Sequence, residues 1–170
     1  MKIMWNTVVQ HIVIDGLLLS LVLGVIIMAS LKYNPRLWLQ DYPKEVQAKV
    51  PPVNKQEKLQ QRILTLPVLL LTFGIPYLSV TWVKAAQGGT ISFPVAFLTV
   101  VGILQLFNLF DAVVLDYLIL TVMKPHFALI PGTTWEEYAK ADLRFQIRNF
   151  LKGIVICTVI SLPIAFVGSL

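Results

Sequence analysis

An all-α chain that crosses a membrane four times is predicted by three observations. Four apolar stretches are long enough to span a bilayer, the Lys and Arg residues fall almost entirely on one side of them, and polar surface is scarce. The chain has 170 residues, 56% hydrophobic and 14% charged, with a mean hydropathy of +0.74. Soluble globular domains carry about 25% charged residues. The length accommodates one bundle without a sizeable soluble domain.

A spanning helix needs about 20 mostly apolar residues. Segments 8–31, 63–83, 93–123 and 150–170 meet that need. Each is read as a helix because the bilayer offers its backbone no water to bond. Loop 32–62 and its flanks hold Lys32, Arg36, Lys44, Lys49, Lys55, Lys58 and Arg62. Loop 124–149 and the following helix entrance add Lys124, Lys140, Arg144, Arg148 and Lys152, leaving only Lys2 and Lys84 for the other side. The asymmetry predicts both longer loops in the cytoplasm and both termini outside, in a plasma (bacterial inner) membrane.

The first span follows Lys2 and has the outline of a signal peptide. Its leading segment is barely basic, Asp15 interrupts the apolar run and no A-x-A-like site follows, so a retained span is expected. Asn34-Pro35 should end it, since proline disfavours helix at the preceding residue. Asp41-Tyr42-Pro43 can open a short surface helix that Pro51-Pro52 stops near Val50. Asn54 and Glu57 have capping-box spacing, which starts a new helix ahead of span two. Gly88-Gly89 makes the outer turn. Thr134 and Glu137 repeat the capping-box spacing after Pro131-Gly132, ahead of span four. The layout predicts two hairpins, 1–84 and 93–170, with cytoplasmic helical extensions. Segment 140–147 alternates polar and apolar residues as a strand does, but an isolated strand beside a membrane lacks a partner, so helix is expected. As a helix it places Lys140, Arg144, Arg148 and Lys152 on one basic ridge.

Span three carries the unusual residues. On an α-helical wheel Gln105, Asn108, Ala112 and Asp116 share a stripe, with Asp111 off it. Spanning 93–123, it is longer than a bilayer needs and must tilt or project. Counted from Lys124 at the α-helical rise, Asp116 is about 12 Å deep and Asp111 about 20 Å. A carboxylate there costs on the order of 2.5–3.5 kcal/mol on insertion scales, so both should face other helices or water. Asp15, about 25 Å from Lys32 by the same rise, is close enough in depth to approach Asp111. His11 precedes Asp15 by four residues and can share its face. Asp111, Asp116, Asn108, Gln105 and Asp15 are therefore the candidate intramembrane polar site. Its alternatives are a polar core that carries a proton or binds a cation or headgroup, or interhelical hydrogen bonding alone.

Other constellations point elsewhere. His11, His126, Asp15 and Asp116 match no metal-ligand spacing, so no metal and no cofactor is expected. Cys157, the one cysteine, excludes a disulfide framework. The net charge of +5 is the cytoplasmic cation excess of a membrane chain, suited to anionic headgroups rather than nucleic acid. The basic ridge can hold such a headgroup or an acidic partner, or simply snorkel. Pro67, Pro76 and Pro163 interrupt spans two and four, which marks either kinks or a transporter site. Trp5, Trp38, Trp82 and Trp135 suit interfacial anchoring.

Asn108-Leu-Phe-Asp111-x4-Asp116, followed by Lys124-Pro125 and Pro131-Gly132-Thr133, resembles small bacterial four-span integral membrane proteins. The resemblance covers roughly the C-terminal half and implies no activity and no catalytic residue. The first functional expectation is a non-enzymatic accessory or interaction subunit, with a protein partner or as a homo-oligomer. The alternatives are a small proton- or cation-coupled transporter using Asp111 and Asp116, and an inner-leaflet lipid-modifying enzyme using Asp116, His126 and the ridge. No catalytic set with defined spacing supports the enzyme.

Overall fold

The computed structural model describes residues 4–139 and 143–170, and all regular structure among them is helical. Helix α1 covers Trp5–Tyr33 and ends where expected: Asn34 turns extended ahead of Pro35, and its side chain accepts from the Arg36 amide at 3.0 Å. A 3-10 segment, Pro35–Asp41, follows, broken at Trp38. Helix α2, Lys44–Lys49, is the short surface helix between Pro43 and Pro51. Helix α3, Lys55–Ala86, starts with the complete Asn54–Glu57 capping box and continues unbroken through Pro67 and Pro76.

Gly88 and Gly89, both at positive φ, reverse the chain into α4, Phe93–Phe110. From Asp111 to Met123 the same helix widens into π-helical winding, which Lys124 ends in the left-handed region at φ 48°. A 3-10 turn, His126–Ala128, leads to α5, Trp135–Ala139, and then α6, Leu143–Ser169. The helical reading of 140–147 holds from Leu143 onward, and residues 140–142 lie outside the described part.

Four helices are long and apolar enough to cross a membrane: Trp5–Tyr33, Lys55–Ala86, Phe93–Met123 and Phe145–Ser169. Both expected pairs pack, α1 on α3 and α4 on α6, and they join through α4. Helix α4 is central and packs most extensively on α6 and α1. The middle is filled by Leu19, Leu23, Val80, Val100, Ile103 and Leu104, none more than 1% exposed. Gly102 admits the Ile12 side chain to within about 3 Å of where a Cβ would stand, so α1 and α4 approach closely. Outside, Leu21, Val25, Leu70, Leu78, Val155 and Val159 are exposed on the bundle's perimeter, an apolar area far beyond what water-soluble monomers present.

The two longer connections fold together over one end of the bundle, which sequence periodicity did not foresee. Leu31, Leu39, Tyr42, Val46, Val50 and Ile130 form a second apolar core, with Trp38, Leu120 and Tyr138 against it. Tyr42 donates its hydroxyl to the Ala128 carbonyl at 3.0 Å and meets Tyr138 edge to face. Arg36 grips both Glu57 oxygens, at 2.6 and 3.3 Å, and donates to the Pro51 and Pro52 carbonyls. Lys49 pairs with Glu137, tying α2 to α5. The result is a cap with its own hydrophobic interior.

Candidate functional site

Two of the expected site residues are interhelical staples. Gln105 donates to the Ile154 carbonyl at 2.9 Å and to Thr158 Oγ1 at 3.3 Å. Asn108 donates to Gln105 Oε1 and to the Phe150 carbonyl, both at 3.3 Å. Glycine at 153 makes this possible, because a Cβ there would stand 1.9 Å from Asn108 Oδ1. Gln105 and Asn108 thus bond α6, and neither is spent on the aspartates.

Asp111 opens the π-helical segment and Asp116 follows five residues later. In π winding, residues i and i+5 stand one above the other, as the Lys124 amide bonding to the Ile119 carbonyl illustrates. The two carboxylates therefore share a face. An α-helical wheel sets Asp111 off the stripe that holds Asp116, and π winding draws the two acids together. The depth also changes: π winding advances less per residue than α winding, so both acids lie nearer the cap than the α-helical rise implies. The same winding takes up part of the excess length of span three.

Both carboxylates are half-buried, and neither has a hydrogen-bond or ion-pair partner among the described residues. Asp41, at the end of the Pro35–Asp41 segment, is within electrostatic reach of both. Asp111 is also within electrostatic reach of Cys157 of α6. The three carboxylates are thus within electrostatic reach of one another near the cap, with no compensating cation among the described residues. They do not converge as a metal-ligand cluster. Such an arrangement can be neutralised by protons, by a hydrated cation or by an ammonium or guanidinium from another chain.

Asp41 was missed as a site residue because its sequence context, Asp-Tyr-Pro, reads as a helix-opening turn. Its approach to Asp111 depends on Tyr42 docking 86 residues away, and such a pairing leaves no periodic trace.

The remaining expectations separate. Asp15 is engaged by His11 Nδ1 at 2.8 Å, and His11 also stands edge-on to Trp82 at 6.1 Å. His126 begins the short 3-10 turn beneath the cap. On the basic ridge, Lys140 lies outside the described residues, as does the Arg144 side chain. Arg148 and Lys152 are exposed one α-helical turn apart, and they border a shallow groove of about 460 Å³ lined by Ile147, Leu151 and Val155. Neither Asp116 nor His126 lines it.

Charge fixes the cap chemistry. The Lys49 ammonium, then the Thr134 amide, hold the Glu137 carboxyl down at about 2. Burial, then the neighbouring Tyr138 and Asp41, push the Tyr42 hydroxyl well above the ordinary phenol range, so it stays a donor to Ala128. Compared with known protein families, curated proteins and solved structures, the chain has no significant match in any of the three.

Proposed function

We propose that this protein is a multi-pass membrane subunit without catalytic activity, holding a partner's transmembrane segment through Asp111 and Asp116 and presenting its cap to the cytoplasm. The observation that carries this reading is a pair of half-buried carboxylates, five residues apart on the π-helical segment, with no cation partner among the described residues. Unpaired charge within a bilayer is costly, and a Lys or Arg on a neighbouring span relieves it. The cap supports the same reading. Its own polar contacts and apolar core hold both connections in one arrangement, which suits recognition by a second protein. The cation asymmetry puts that face inside.

Proton or cation coupling by the same residues is the second reading. It is favoured by Asp41, which draws the acid group toward the cap surface, where water can reach it. Native mass spectrometry after gentle extraction from the source membrane separates the two. A stoichiometric second protein supports the subunit. A homo-oligomer alone, with cation or proton flux in proteoliposomes that Asp111→Asn abolishes, supports the transporter and removes the subunit.

A further inference from the structure

The subunit reading makes no use of the groove on the outer face of α6. Its floor is Ile147, Leu151 and Val155, all exposed, and these residues recur at helical spacing along about 12 Å of axis. Arg148 and Lys152 stand beside it, one turn apart, both exposed and neither paired with an acid among the described residues. Arg148 is positioned by Phe145, whose ring centroid lies 5.5 Å from the guanidinium carbon. Two cations interleaved with an apolar strip on the loop-side half of α6 match one kind of molecule: an anionic head joined to an apolar chain.

We infer that this groove is a binding site for an anionic glycerophospholipid, its phosphate between Arg148 and Lys152 and one acyl chain along Ile147, Leu151 and Val155. The arrangement differs from simple snorkelling in requiring both parts together. A free phosphate satisfies only the cations, and a zwitterionic lipid brings a phosphate whose charge its own ammonium offsets. Arg148 supplies a planar two-pronged donor for phosphate oxygens, and Lys152 a second charge on the adjacent turn. The site needs only that the chain reside in a bilayer, and it is independent of Asp111 and Asp116.

The test is native mass spectrometry of the full chain in detergent micelles doped with equal amounts of phosphatidylglycerol and phosphatidylcholine of identical acyl chains. Each cation at an anionic surface is worth roughly a five-fold factor. The bound phosphatidylglycerol should therefore exceed phosphatidylcholine on the order of twenty-fold or more. The double variant Arg148→Gln/Lys152→Gln should reduce that preference to near parity. The variant Lys55→Gln/Lys58→Gln, which removes the same charge from the exposed start of α3, should leave it intact. Leu151→Asn should weaken retention of both lipids without changing their ratio. Equal retention by the wild type, an equal loss from the α3 variant, or competition by millimolar glycerol phosphate as effective as by lipid would each overturn the site. Should the α6 double variant fail to fold, the single variants Arg148→Gln and Lys152→Gln carry the test: each should lower the preference roughly five-fold, and a preference unchanged in both would overturn the assignment.

Discussion

At the scale of single residues, Gly153 and Asn108 decide how α4 meets α6. The absent Cβ leaves room for the Asn108 amide, which then reaches the Phe150 carbonyl. Gly153→Ala should cost roughly 1–3 kcal/mol, the range for overpacking, read from unfolding in detergent. Asn108→Ala in the same chain should recover much of that loss. A Gly153→Ala protein as stable as the parent would contradict the staple. Much at this scale was legible beforehand: the Asn54–Glu57 box is formed in full, and the His11–Asp15 pair follows from i,i+4 spacing. Asp111 and Asp116 stood out because carboxylates are rare in apolar runs. Their geometry did not, since an α-helical wheel assigns the wrong face to a π-helical segment.

Among elements, the cap depends on contacts between segments far apart in the chain. Lys49 to Glu137 is one of them, and it carries a pH signature. The Glu137 carboxyl titrates at about 2 in the folded chain against an ordinary 4.5. Its folded value is depressed, so the stabilisation is fully present above pH 4.5 and is lost as pH falls toward 2. Melting followed by tryptophan fluorescence should show that loss across this window, and Glu137→Gln should flatten it. An identical acid limb in the variant would contradict the contact. Helix boundaries were readable because Asn34-Pro35, Pro51-Pro52 and Gly88-Gly89 act locally. The cap core was not: Tyr42 and Val46 meet Ile130 from a distant connection, and such a meeting leaves no period in the sequence. The π winding was equally hidden, because apolar residues surround that helix on all sides and give no phase to measure.

For the whole molecule, four apolar spans and their loop charges were legible from composition, whereas the central position of α4 was not. Orientation has a direct readout. In a Cys157→Ala background, Lys58→Cys should react with a membrane-impermeant maleimide only once the cytoplasmic face is opened, and Ser92→Cys from outside intact cells. The reverse pattern would contradict the assigned topology. We propose that Asp111 and Asp116, carboxylates with no cation partner among the described residues, hold another chain. The most direct measurement compares the parent with Asp111→Asn/Asp116→Asn, both gently extracted and weighed intact by native mass spectrometry. The account predicts a stoichiometric partner bound to the parent and lost from a variant that still melts as a folded bundle. A partner retained equally by the two, or none bound to the parent, would contradict it.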